Sequence, residues 1–516
     1  MPEQDIGDSF QFGSLIFATN AGAFCLTGTT NIFGHSAWRN LQFAGSNPSL
    51  TLCGGSTVAI MGALITRVDP TNDTIAIASG MTLQLPWIIG GQSRVVVKKG
   101  GGTLRVCEHA DGQYYFARSS TRGPEYVVED GMVEMGTRTD RWVLASDYGS
   151  WRAAPSEVKV SYNLTVGDGI GDATSAVFRL IGPAQAEVLD NLLVITVNAD
   201  GLLDFNGVQD WCRDSEDSLR LSVSNGLVRM GGNSLYVHSG RTLDLRGGAR
   251  IEGSGDSALR LYDGATNRVD GLSSCAVLAA SAALISADNG AGVVFHVSGR
   301  TGDVVALDVT GHLGAGGAGS HLVKRGAGTM AISNLTHAVR TNRVEEGTLL
   351  LNGVSRCAVP ASAAQWAVLP HATLGGVGVI SNAAVVVQGG TIDPGDAAVG
   401  CLTIDSNLVL SAGSMLRFDL ACGSSGSGGT NDQLVIRRGV VTGLSNAALR
   451  IEVPSHMDVD GQCFRIISGG GNLAGQSFGE VSLIGCRGRR ADAVIGNGYV
   501  DVTIRNPDAG TGLIVR

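Results

Sequence analysis

Charge, aromatic side chains and proline are all scarce in this 516-residue chain: charged residues make up 16%, aromatics 5%, and there are 12 prolines. A hydrophobic share of 44% still supplies ample core material, which excludes intrinsic disorder. Few prolines and no Gly-X-Y register exclude a collagen-like chain. There is no basic excess either, since the net charge is -9, so nucleic acid and polybasic membrane contact are not expected. The longest bland apolar stretch, 276–285, is about half of what a membrane-spanning helix needs. Residues 1–8 are acidic and carry no basic n-region or apolar h-region, so for an exported protein the expectation is that Met1 is not the natural start or that the chain is a mature fragment. Ten cysteines include no Cys-x-x-Cys pair, which removes zinc ribbons and thioredoxin-like redox sites. Most of them are expected to be small apolar core residues.

Motifs for bound cofactors are missing as well. The run 314–319 satisfies G-x-G-x-x-G, yet it leads into another strand-like run, whereas a dinucleotide fold needs a helix N-terminus there. No phosphate-cradling G-x-x-x-x-G-K-[ST] occurs. Asp69, Asn72 and Asp73 hint at calcium ligands but lack the fixed glycine and distal glutamate of an EF-hand. Nine histidines are scattered without ligand spacing, and no G-x-S-x-G elbow anchors a nucleophile. The expectation is no cofactor and no metal.

What the chain has is glycine, 75 residues of it, and short apolar runs of four to six residues bounded by Gly, Asn, Asp or Ser. No segment sustains a helical period, so the chain reads as all-β. A half-motif recurs: an apolar triplet, a short turn with glycine, then an alternating strand. It is seen from Ile77 through Gly80 to Leu85, from Val197 through Gly201 to Phe205, from Val237 through Gly240 to Leu245, and from Val409 through Gly413 to Phe418. One copy cannot bury its apolar face, but stacked copies of roughly 20 to 25 residues can. The predicted fold is a parallel, right-handed β-helix solenoid of the pectin-lyase-like kind over 1–455. A short C-terminal β cap over 456–516 is expected to protect the open edge.

The longest repeat has two copies, at about 95–136 and 320–353. In the first, Lys98, Gly100, Gly102, Thr103 and Leu104 are answered by Gly131; in the second, Lys324, Gly326, Gly328, Thr329 and Met330 are answered by Val344, Gly347 and Leu349. This pattern resembles the autotransporter-associated β-strand repeat of bacterial passenger proteins, with Met330 where leucine is usual. The stretches 372–380, 387–395 and 401–436 resemble the continuation that such proteins carry. Tyr114, Tyr115 and Phe116 mark a long aromatic loop inside the first copy. The resemblance implies a bacterial β-helical rod, extracellular or displayed on the outer-membrane surface, acting as an adhesin or structural protein. Its implied partners are glycans or host and matrix surface proteins. Lys98, Lys99, Lys324 and Arg325 are expected to be exposed charges that discourage unwanted strand pairing.

The alternative is a β-helical polysaccharide lyase or glycoside hydrolase. Asp204, Asp244 and Arg246 are its candidates, because Asp204 and Asp244 occupy equivalent half-motifs 40 residues apart, about two coils, and so would share one face. The simpler reading is that outward positions of a strand with one wet face are ordinarily charged.

Overall fold

Alternation of apolar and polar residues gives each strand one dry face, and in this protein that face turns inward while the next coil extends the sheet edge by parallel pairing. In the computed structural model the longest described stretches are 72–85, 95–107, 125–136, 163–182, 194–210, 220–232, 234–253, 258–271, 273–285, 292–299, 304–315, 321–334, 341–356, 365–396, 398–421, 430–454, 461–486 and 488–506. Shorter ones, 9–18, 24–26, 40–43, 48–54, 57–60, 64–65, 88–89, 185–186 and 337–338, complete the description. The chain divides into two compact units, Met1–Leu259 and Arg260–Arg516.

In the first unit, strands return to the same face after each coil and pair in parallel. One stack runs Ser14–Phe17, Ser49–Leu52, Asp73–Ile77, Val95–Lys99, Glu125–Val128, Asn163–Val166, Val194–Val197, Arg220–Ser224 and Thr242–Arg246. A second stack takes the next strand of each coil, from Phe24–Leu26 through Thr103–Cys107, Gly131–Gly136, Ala176–Ile181 and Gly201–Asp204 to Arg250–Glu252. A third face holds shorter pairs, such as Ser9–Phe12 on Asn40–Phe43. Inward positions line up as columns: Phe178, Leu203, Val228 and Ile251 are register partners in succession and all are fully buried. Phe178 and Leu203 are 25 residues apart, as are Leu203 and Val228, at the upper end of the predicted coil length.

The second unit repeats the plan. Its first stack runs from Thr266–Asp270 through Val293–Ser298, His321–Arg325, Thr341–Val344 and Gln365–Val368 to Val441–Thr442. Its second runs from Ala276–Leu278 through Thr329–Ile332, Gly347–Leu351, Ala372–Gly376, Thr391–Pro394 and Ser414–Ala421 to Glu480–Ile484. A third stack runs from Ser281–Ile285 to Cys463–Gly469. Pairing then turns antiparallel, with Tyr499–Arg505 lying between Cys463–Gly469 and Arg490–Gly496. Among the described residues the helical content is one 3-10 turn, Leu444–Asn446. The architecture is the parallel β-helix that the half-motif predicts.

The cysteines depart from expectation. Cys53, Cys401 and Cys463 are exposed and Cys275 and Cys486 half-buried, all as free thiols, because they fall at strand starts and corners rather than at inward positions. The side chains of Cys25, Cys107, Cys212, Cys357 and Cys422 lie outside the described residues.

Many corners between first and second stacks hold a left-handed residue, but only some of these also need its lack of a Cβ. At Gly347 (φ +68°) a Cβ would sit 2.4 Å from the Gly326 carbonyl oxygen, whereas at Gly413 (φ +79°) the nearest atom would be 3.7 Å away. Gly413→Ala should therefore cost about 1 kcal/mol, from backbone strain alone. Gly347→Ala should cost roughly 3 kcal/mol or more, since backbone must move as well. Thermal and urea unfolding of the two variants checks the order; equal losses would refute it.

Candidate functional site

The two copies of the long repeat build the same corner, one in each unit. Lys98 and Lys324 stand at inward positions of their strands: Lys98 is in register with Ile75 and Val128, and Lys324 with Phe295 and Val344. Both are fully buried, which corrects the expectation that they are exposed; only their neighbours Lys99 and Arg325 face solvent. The correction follows from strand alternation, because an inward neighbour two residues back, Val96 or Leu322, puts the lysine on the same dry face.

Each ammonium is satisfied by three carbonyls. Lys98 Nζ donates to the oxygens of Lys99 (3.1 Å), Gly100 (2.5 Å) and, one coil on, Asp130 (2.9 Å). Lys324 Nζ donates to Arg325 (3.2 Å), Gly326 (2.5 Å) and Glu346 (2.8 Å). Three donors meet three acceptors, which makes a buried lysine tolerable. Burial pulls each lysine down to about 8, against the opposing attraction of Asp130 or Glu346. Outside each corner an ion pair repeats too: Lys99 with Glu129 at 2.8 Å and Arg325 with Glu345 at 2.5 Å.

The glycines and apolar residues of the repeat have matching places. Gly100, Gly131, Gly326 and Gly347 all take positive φ, and a Cβ on Gly131 would meet both the Gly100 oxygen and the Lys98 ammonium. A Cβ on Gly102 would come within 2.3 Å of the Ala78 carbonyl, and one on Gly328 would crowd Ser298. Thr103 pairs with Met132 as Thr329 does with Thr348. Leu104, Met330, Val344 and Leu349 are fully buried, so Met330 fills the leucine position of the other copy.

The candidate carboxylates do not share a face. Asp204 ends the second-stack strand Gly201–Asp204, while Asp244 and Arg246 lie on the first-stack strand Thr242–Arg246. Their half-motifs look alike but turn different corners: Val194–Val197 leads from first stack to second, whereas Ser234–Val237 leads into the first. Asp204 is almost fully buried. It accepts the Arg179 guanidinium at 3.0 Å and the Asn206 amide at 3.0 Å, with Arg229 at 3.8 Å. Asp244 sits beside Ser222, in line with Thr196 and Thr165, and Arg246 is exposed beside Ser224.

Asp204 belongs to a column that the sequence reading missed. Arg105, Glu134, Arg179, Asp204, Arg229 and Glu252 are register partners on successive coils, alternating in sign. Arg105 Nη2 lies 2.6 Å from Glu134, and Arg229 Nε 3.8 Å from Glu252. Its signal in the sequence is opposite charge at one coil spacing, obscured between Glu134 and Arg179, which lie 45 residues apart. Each pair contributes at most about 1 kcal/mol, and a one-residue slip in register would part every pair and set Arg179 against an inward apolar position such as Leu203.

The second unit gathers three aspartates around Arg417. Asp393 accepts Arg417 Nε at 3.1 Å and Nη2 at 2.8 Å; Asp432 accepts the amides of Gly400 (2.7 Å) and Asp419 (2.8 Å). Burial first, then repulsion from Asp419 and Asp432, pushes Asp393 up to about 7 despite Arg417. Burial pushes Asp432 up to about 6. No group of ligands able to hold a metal occurs among the described residues. Of the suspected calcium ligands, Asp73 is buried, Asn72 is exposed and Asp69 lies outside the described residues. In the glycine run Gly314 belongs to the strand Leu313–Ala315, and the next described element is the strand His321–Arg325; 316–319 and the aromatic loop at Tyr114 lie outside.

Two outcomes are expected. Lys324→Met leaves three carbonyls without their donor and should cost about 2 to 4 kcal/mol, read from urea unfolding, with Lys98→Met behaving alike and Arg325→Met nearly neutral. For the aspartates, the folded form binds protons more tightly than the unfolded chain, whose ordinary value is 3.8. Their stabilisation is therefore fully present below pH 3.8 and is lost as pH rises through about 6 and about 7. The difference in melting temperature between wild type and Asp393→Asn should change across that window; a constant difference from pH 4 to 8 would contradict it.

Comparison with known proteins adds little beyond this. No protein-family model matches the chain, and no curated protein matches it. Among solved structures it is similar to the Haemophilus influenzae Hap adhesin, with 11% identity and a TM-score of 0.21, over 91% of this chain and 64% of that one. The chain thus spans less than two-thirds of the adhesin's length.

Proposed function

We propose that this chain is a non-enzymatic β-helical protein of the bacterial cell exterior, an adhesin or structural element of the autotransporter-passenger kind. The observation that carries the reading is the repeated corner: two stretches that resemble the autotransporter-associated strand repeat fold into the same lysine-stapled turn, residue for residue. A scaffold of stacked coils that spends its buried charge on holding corners presents long outer faces and loops, which suits display and contact. The polysaccharide-cleaving alternative loses its main support, because Asp204 and Asp244 lie on different stacks and Asp204 is already held by arginine. Residues 456–516 serve in this reading as a cap on the last coils of the second unit, supported by the antiparallel strands at Tyr499–Arg505. The natural partners are glycans or surface proteins, with no cofactor.

Antibodies against the purified chain should label intact cells of its source, and added protease should remove the label without lysis. The protein incubated with a panel of plant, algal and host polysaccharides should release no reducing ends or unsaturated uronates. Label seen only after lysis would overturn the display reading. Turnover abolished by Asp204→Ala or Asp244→Ala would overturn the non-enzymatic one.

A further inference from the structure

The outer face of the first stack in the second unit carries a cationic strip in a chain whose net charge is -9. Arg268, His296 and Arg325 are successive register partners. They point outward and are exposed, because their neighbours Asn267, Val269, Phe295, Val297 and Lys324 fill the core. Arg343 continues the strip one coil on, in the adjacent column beside Val323. Arg325 and Arg343 share a single carboxylate, Glu345, at 2.5 and 2.9 Å. Glu346 is engaged with the Gly326 amide. Four cationic or protonatable groups thus stand on four coils, spaced by about 4.8 Å per coil.

We infer that this strip, Arg268, His296, Arg325 and Arg343, binds an extended acidic polysaccharide whose sulfates or carboxylates lie against successive coils. The strip crosses four successive coils, with Arg343 one column over, so it can follow an extended polyanion. Glu345 between the arginines supplies an acceptor for sugar hydroxyls. A nucleic acid fits less well, since the strip holds no Phe, Tyr or Trp for bases to stack on and the chain as a whole is acidic. The inference rests on the surface-display reading and deepens it by naming a ligand class.

His296 makes the strip pH-dependent. Burial and the two flanking arginines hold its imidazole below the usual range, while Glu345 and Glu346 oppose them; Asp270 stands two residues beyond Arg268 on the neighbouring strand. An anion laid across the strip favours the protonated ring. Binding therefore strengthens on acidification.

The test uses the full chain with heparin and polygalacturonate as probes, in biolayer interferometry at low salt, at pH 5.5 and 7.5. At least one probe should bind, up to about fivefold more tightly at pH 5.5, the value of one exposed charge pair. His296→Asn should bind but lose that pH response. Arg268→Gln combined with Arg343→Gln should weaken binding by roughly tenfold or more. Arg438→Gln combined with Arg490→Gln, the same charge change elsewhere on the second unit, should not. Melting curves confirm that the variants fold. No binding of either probe, equal binding by both double variants, or tighter binding of a single-stranded oligonucleotide would each overturn the inference. A displayed protein that ignores both probes overturns the ligand alone; a protein that binds them but is not displayed overturns the display reading alone.

Discussion

A parallel strand can satisfy its backbone only with a strand from another coil, and that requirement shapes everything else in this chain. Each coil must place its strands at the same heights and angles as the last, so its corners must turn alike however its loops differ in length. Register becomes a property of the stack rather than of any pair. The columns Phe178, Leu203, Val228, Ile251 and Leu349, Leu374, Ile392 show the consequence: coil spacing varies between 25 and 18 residues while the inward positions stay aligned. Variation is absorbed in the corners and loops.

Corners are therefore where polar chemistry is concentrated. An outward corner carbonyl can bond water, but those beside Gly100 and Gly326 face the core, and a buried acceptor without a donor costs about 1 to 3 kcal/mol. The lysine ammonium answers this with a long apolar stem that replaces a core residue and a head that reaches carbonyls of two successive coils. Arginine, with its planar fork, would not gather three carbonyls converging on one point as well as an ammonium does. Glycine at the next corner is then obligatory, since the oxygens of Gly100 and Gly102 already fill the space where a Cβ of Gly131 would lie.

The fold was legible because its signal is local and redundant: apolar triplets, a glycine turn and alternating strands recur often enough that only stacking can bury them. The repeat residues were legible as a pattern, yet the burial of Lys98 and Lys324 was missed although it is implicit in the alternation Val96, Lys98 and Leu322, Lys324. A lysine was taken as a surface residue by its type, and its periodicity overruled the type. The pairing of Asp204 with Asp244 failed for a different reason. A half-motif marks a corner but not which corner, and in a three-faced coil the same turn serves more than one. The column from Arg105 to Glu252 shows in the sequence only as opposite charge at one coil spacing, and its members can be aligned only once coil lengths are known.

Charge in this protein thus has three distinct settings, separated by how far water reaches. At the lysine corners it is buried and cancelled by carbonyl dipoles; in the column from Arg105 to Glu252 half-exposed arginines are cancelled by the carboxylates of the coils above and below. Along Arg268, His296, Arg325 and Arg343 no acidic residue stands in register between the two arginines of the column, and one carboxylate lies between Arg325 and Arg343. Stacking makes this last arrangement costly once His296 is protonated, since in-register neighbours of one sign then repel. The first unit shows that an alternating column is available on the same architecture. A strip that forgoes alternation gains little from pairing within the fold, and that is the physical ground for inferring an anion laid across it from outside the chain.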